Sequence, residues 1–204
     1  MRVDAVIAAS KMTLFDLSTA AGDGDIAVVR RLLREHPPPL FIELAFCSAS
    51  SKGRLKVMSR LRREGISMQG KSNALCQAAE ENQRDAVQML LRMRTFKHVR
   101  SDALELAVAK GHVEVVRELI PYSDPWAPSC RALVWAARLE HTAVMQVFVD
   151  AFDERAIEYW ERDLADTDGV SAAVRKFCEA WRARQAAAKT LAEALGHNAG
   201  PTAG

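Results

Sequence analysis

The chain has 204 residues, 49% hydrophobic and 26% charged, with a formal net charge of +2, a composition that suits a well-filled globular core and argues against a disordered polymer. Its four cysteines, Cys47, Cys76, Cys130 and Cys178, are too few and too scattered for a disulfide scaffold and contain no CxxC pair, so a reducing, intracellular and cytoplasmic setting is expected. The apolar start MRVDAVIAASKM is broken by Asp4 and falls short of a secretory run, and nowhere do roughly 18 apolar residues follow one another as a membrane span requires.

Along the chain, Val3, Val6 and Ile7 come first; they are helically spaced and predict a capping segment over residues 1–11. From about residue 12 to 180 the sequence repeats with a step of 29. The step carries Gly24 onto Gly53, Asn82, Gly111, Glu140 and Gly169. Four places earlier stand Ala20, Ala49, Ala78, Ala107, Ala136 and Ala165, without exception. Seven places earlier stand Leu17, Phe46, Leu75, Leu104 and Leu133, with a break at Arg162. Downstream, one column reads Val29, Met58, Val87, Val116, Met145, Val174 and the next Leu32, Leu61, Leu90, Leu119, Phe148, Phe177.

Relative to the glycine, apolar residues therefore fall at −7 and −4 and at +4, +5 and +8, which is helical spacing on both sides of a break. Each unit reads as two short helices of about nine residues. Polar residues mark the helix starts: Ser72 and Ser101 in one column, Ser129 one place off it, and the capping-box form 13-TLFD-16. The alanine lets facing helices approach closely. The glycine supplies the left-handed residue that ends the first helix, a role Asn82 can fill. Glu140 fits that role poorly, and its turn is expected to be strained or differently built. Helices this short are marginal alone, so stability must come from stacking one unit on the next. After the sixth unit, 177-FCEAWRARQAAAKTLAEAL-195 places Phe177, Trp181, Ala188, Leu191 and Leu195 along one side of a long helix ended by Gly196. That helix either caps the stack or is offered to a partner groove. The tail 196–204 is expected to be flexible.

The units 17-LSTAAGDGDIAVVRRLL-33, 75-LCQAAEENQRDAVQMLL-91, 104-LELAVAKGHVEVVRELI-120 and 133-LVWAARLEHTAVMQVFV-149 resemble the ankyrin repeat. Units at 46–62 and 162–178 match more loosely. The resemblance implies an all-α solenoid of about six stacked helix–turn–helix repeats, with terminal capping helices, forming one domain over residues 1–195. Two features depart from the family. Its T-P-L-H start is absent, with Phe15, Leu44, Asn73, Asp102 and Arg131 in place of the threonine. The period is 29 rather than about 33. The missing residues come most simply out of the links 37-PPPLFI-42, 65-GISMQGKS-72, 94-RTFKHVRS-101 and 121-PYSDPWAPS-129, so β-hairpin fingers are not expected.

No nucleophile elbow and no phosphate-binding glycine loop is present, so no enzyme, catalytic residue or cofactor is expected. His112 and His141 share a column after the glycine and read as structural hydrogen-bonding residues; no further His or Cys is near enough in sequence to complete a zinc site. Cys47 and Cys76 also share a column, at a spacing that stacked helices make too long for a disulfide. Asp163, Asp166 and Asp168 precede Gly169, but the first and twelfth positions of a calcium loop would be Leu164 and Arg175.

The resemblance implies recognition of a protein partner through the two variable positions before each glycine and through the loops. Those residues are Asp23, Ser51, Lys52, Glu80, Glu81, Ala109, Lys110, Arg138 and Leu139, with Met68, Phe96 and Trp126 as loop anchors. Trp126 is either an exposed hot spot or folded back over Pro125 and Pro128. A different class of function, electrostatic binding of nucleic acid or anionic surfaces, is suggested by residues 52–100, where 12 Lys and Arg face 4 acids; residues 140–168 are the reverse, with 9 acids and 2 arginines. Self-association through the last helix is a third reading. No small-molecule substrate and no membrane is implied, and a monomer is the expected state.

Overall fold

The computed structural model describes residues 16–127, 131–152, 154–163 and 172–197. Within them every residue of the glycine column has positive φ: Gly24 at 86°, Gly53 at 64°, Asn82 at 56°, Gly111 at 71° and Glu140 at 54°. At each of these turns the next residue donates its N–H to the carbonyl of the column alanine. The bonds run from Asp25 to Ala20, Arg54 to Ala49, Gln83 to Ala78, His112 to Ala107 and His141 to Ala136, at 2.8–3.1 Å. A left-handed residue closing such a bond satisfies a carbonyl that the helix end would leave orphaned. The chain then reverses into the second helix from a repeated geometry, with Asp25, Arg54, Gln83 and His112 at φ between −91° and −74° and ψ between 68° and 86°.

The turns join helices in pairs. The first pair is a helix over 16–23, α1, and α2 (Ile26–Leu33). It is followed by α3 (Pro39–Ser51) with α4 (Leu55–Leu61), α5 (Met68–Glu80) with α6 (Arg84–Leu91), and α7 (Lys97–Ala109) with α8 (Val113–Leu119). Next come α9 (Ala132–Arg138) with α10 (Thr142–Phe152), and finally α11 (Glu154–Asp163) and α12 (Ala172–His197). No strand occurs among the described residues. The first helices pack in succession, α3 on α5, α5 on α7, α7 on α9 and α9 on α11. On the other side α2 packs on α4, α6 on α8 and α8 on α10.

Between the two rows lies one continuous apolar cluster. Leu17, Phe46, Leu75, Leu104 and Leu133 are buried, as are the described alanines of the column. So are Val29, Met58, Val87, Val116, Met145 and Val174, and the column from Leu32 to Phe177. Each such leucine contributes on the order of 1.5–3 kcal/mol, which helices of seven to thirteen residues need because they are marginal in isolation.

Four expectations are corrected. The first helices begin a turn earlier than Ser72 and Ser101 suggest. Ser67 caps α5, accepting from the Gly70 N–H at 3.0 Å, and α7 starts after Phe96 with no side-chain cap. The patternless links thus supply extra helical turn, and α3 opens with Pro39 at its first position, where a missing N–H costs nothing. Second, the turn at Glu140 is not differently built: it closes the same bond as the others, and what sets it apart is the cost of holding a glutamate in the left-handed conformation. Third, the sixth pair is out of step: Arg162 is exposed, and Ala156, Ile157 and Trp160 of α11 are buried, with Trp160 Nε1 donating to the Leu133 carbonyl at 3.0 Å. Fourth, Gly196 does not end α12, which continues to His197. Phe177, Cys178 and Trp181 of α12 are buried, but Ala188 and Leu191 are exposed, so only the first part of this helix covers the stack. The expected cap 1–11, residues 13–15 of the capping box, Ala165, Gly169 and the tail from 198 lie outside the described residues.

A left-handed L-residue costs about 1–2 kcal/mol, partly offset in the unfolded chain by glycine's extra freedom. Glu140→Gly is therefore expected to stabilise the protein by about 0.5–1 kcal/mol. Gly111→Ala should destabilise it by about 1–2 kcal/mol, since its Cβ would also stand 3.2 Å from the His141 ring. Urea unfolding midpoints at unchanged m-value check both.

Candidate functional site

The two positions before each left-handed turn bring the expected partner residues to a common edge. Asp23, Lys52, Glu80, Glu81, Lys110, Arg138 and Leu139 are exposed; Ser51 and Ala109 are half-buried. Their backbone is tied from one pair to the next. His112 Nε2 donates to the Glu80 carbonyl at 2.8 Å, and His141 Nε2 reaches the Ala109 carbonyl at 3.4 Å. Arg54 Nε makes the equivalent bond to the Gly22 carbonyl at 2.9 Å. All three span 32 residues, from the residue after one left-handed turn to the residue two before the preceding one. His112 and His141 are thus structural donors. The part played by Arg54 is one that a histidine-centred reading of the sequence overlooks. Lys110 Nζ lies 3.8 Å from Glu80 across the same step.

A second set of ties fixes where the first helices begin. Glu43 Oε1 accepts the Ser67 N–H at 3.1 Å, and Ser72 Oγ accepts the Phe96 N–H at 3.3 Å. Glu43 and Ser72 share a column, as do Ser67 and Phe96, so one bond recurs with different acceptors. Ser72 is fully buried, which suits an acceptor for a loop N–H rather than a helix cap.

Because α3, α5 and α7 start early, Leu44, Asn73 and Asp102 come onto a helix face, while the next residue of their column, Arg131, immediately precedes α9. Leu44, Asn73, Asp102 and Arg131 are all exposed, and Leu40, Gln69 and His98 are exposed at the helix starts. Leu40 and Leu44 are apolar, at 61% and 43% exposure, beside Met68 at 36%. Together with the turn-edge residues they form a stripe spaced four, then seven along each helix, continuous over α3, α5 and α7. Its signal in the sequence is the 29-step from Leu44 to Asn73, Asp102 and Arg131, but without the helix starts it has no face to belong to.

The loop anchors divide. Met68 is exposed at the first residue of α5. Phe96 is half-buried and stacks on His98 with ring centroids 5.6 Å apart. Trp126 points inward: it meets Phe152 and Tyr159 edge-on at 5.5 and 5.7 Å, and the Arg155 guanidinium lies 4.9 Å over its ring. It folds back onto α10 and α11 and is half-buried rather than fully exposed; Pro128 lies outside the described residues. Truncating it should remove packing between pairs: Trp126→Ala is expected to cost about 2 kcal/mol, less than full burial of an aromatic would imply, readable as a lowered thermal midpoint.

The basic stretch 52–100 does not present one uniform face. Arg54 is held by the Gly22 carbonyl, Arg60 by Glu64, Arg84 by Glu118 at 2.6 Å, and Arg100 by Thr95 and the Tyr122 ring. Partial burial pushes the Glu118 carboxyl up, but hydrogen bonds from Arg84 and Gln88 outweigh it and hold it below the ordinary carboxylate value. A depressed carboxyl stabilises the fold at neutral pH and loses that effect as pH falls through its folded value. The stability gap between the native chain and Glu118→Gln is thus expected at pH 7 and should close in acid, below the ordinary value of about 4.5; urea titrations along a pH series check it.

Burial, with Glu43 adding, raises the Cys47 thiol to about 11, and burial is also the main cause that raises Cys76 to about 11. Both remain protonated at neutral pH and are unbridged. Among the described residues no three His, Cys, Asp or Glu side chains are grouped to hold a metal ion, and no helix is long and apolar enough to cross a membrane. The sequence matches no protein-family model and no curated protein at a significant level.

Proposed function

We propose that the chain is a solenoid of ankyrin-like repeats with a shortened link, acting as a non-catalytic scaffold that recognises a protein partner. The observation that carries this reading is the contrast between two sets of positions in the same helices. Buried positions recur in kind every 29 residues, whereas the exposed stripe changes character at each step, from Leu44 to Asn73, Asp102 and Arg131 and from Lys52 to Glu81, Lys110 and Leu139. The backbone beneath those side chains is tied between pairs at Gly22, Glu80 and Ala109, so little backbone ordering is left to be made on binding, which favours affinity. The exposed Leu40, Leu44 and Met68 would provide the apolar centre, and Glu80, Glu81 and Lys110 the polar margin, of an interface of ordinary anatomy.

Affinity capture from the source cell tests this. Leu44→Asp and Glu80→Lys/Glu81→Lys change only exposed side chains and should leave the fold intact, as circular dichroism will report. Both are expected to reduce the captured partner by about tenfold or more, in keeping with the loss of an interface hot spot. Unchanged capture by both variants would place recognition on another face.

A further inference from the structure

The second-helix side of the first two pairs carries a cleft that the turn-side surface does not include. It lies between α2 and α4, has a volume of about 310 Å³ and is lined by Ile26, Arg30, Lys56, Ser59, Arg60 and Arg63. Ile26 and Ser59 are half-buried, and Ile26 packs on the core, so the floor is fixed and largely apolar. The rim holds four cations. Arg60 is engaged by Glu64. The side chains of Arg30, Lys56 and Arg63 have no hydrogen bond or ion pair with any described residue. The nearby Asp25 carboxylate is occupied, accepting from the Ala27 and Val28 N–H groups at 3.0 Å. Further along the same side the pattern changes: Arg84 is matched by Glu118, which also takes a bond from Gln88 at 2.8 Å. Across α6 and α8 one arginine is thus matched in cis, whereas no carboxylate of the described residues pairs with Arg30, Lys56 or Arg63 around the α2–α4 cleft.

A concave site walled by one sign of charge concentrates its field on whatever enters. An apolar floor beneath that rim selects further, because it is filled only by a ligand bringing an apolar side chain. We propose that the α2–α4 cleft binds an acidic amphipathic segment of a protein partner, one apolar side chain seated over Ile26 and flanking Asp or Glu carboxylates on Arg30, Lys56 and Arg63. Guanidinium forks suit carboxylates in this role. Nucleic acid fits less well, since no aromatic ring lines the cleft for a base to stack on. An anionic membrane fits less well too, since no large exposed hydrophobic residue lies on α2 or α4 to insert. Nor does a second copy offer a clean acidic face: on α11 Glu161 is held by Arg182, and Arg155 stands between Glu154 and Glu158.

Fluorescence anisotropy with the full chain tests the assignment. The probes are a labelled peptide with leucine at every third or fourth place and glutamate elsewhere, a polyglutamate peptide of equal length, a single-stranded oligonucleotide and anionic vesicles. The leucine–glutamate peptide is expected to bind at low salt and to weaken by about tenfold or more in Arg30→Glu/Arg63→Glu, as reversed charges at a complementary interface do. It should bind Leu44→Ala as it binds the native chain, because Leu44 lies on the first-helix side; loss of the partner proposed above would therefore leave this result standing, and the reverse. The reversed residues are exposed, and an unchanged thermal midpoint confirms that the variant folds. Absence of binding, equal binding by the double variant, or binding of polyglutamate, oligonucleotide or vesicles as tight as that of the leucine–glutamate peptide would each overturn the proposal.

Discussion

The structure depends on one small piece of geometry: a left-handed residue whose successor's N–H returns to the carbonyl of a buried alanine. The bond ends the first helix and sets the direction of the second, and at three of the turns the side chain of that same successor reaches the neighbouring pair. Side chains as unlike as arginine and histidine serve as donors in that last step. What the geometry demands is an N–H at the right reach from a fixed carbonyl; the chemical type of the donor is left open. The same holds for the Glu43 and Ser72 acceptors, which share a register and a task but no functional group.

That distinction separates what the sequence reveals from what it conceals. The buried columns and the left-handed turns were legible because each restricts residue type: a site without room for more than a methyl group takes alanine, and a positive φ favours glycine or asparagine. Glu140 looked like an exception, yet the turn obeys the frame, because packing on both sides over-determines a backbone that the residue alone would avoid. Helix starts were not legible. Phe96 opens α7 without a capping side chain, and Ser72, polar and well placed for a cap, is instead buried to accept a bond from a residue 24 places on.

The candidate site was legible only in part. The turn-edge residues follow from the repeat by counting. The stripe through Leu44, Asn73 and Asp102 required knowing that helix extends under them. Trp126 shows the opposite failure: its partners Phe152, Arg155 and Tyr159 stand 26, 29 and 33 residues away, and although Arg155 is one repeat step on, that step alone does not tell that the indole folds against α10 and α11. The α2–α4 cleft could not be read from the basic stretch either, since Arg30 lies outside that stretch and several charges within it are already matched.

The last helix carries a mechanical implication. Trp181 is buried and Arg182 pairs with Glu161 of α11, whereas the residues from 183 to 193 are all exposed, a length of about 17 Å at the rise of an α-helix. A free peptide of that size would be mostly coil. Here the nucleation cost has been met by the anchored turns, and helicity is passed along from them. The segment is thus a cantilever, stiffest at its root, and any load applied near Leu191 is transmitted directly to the seam between α11 and α12.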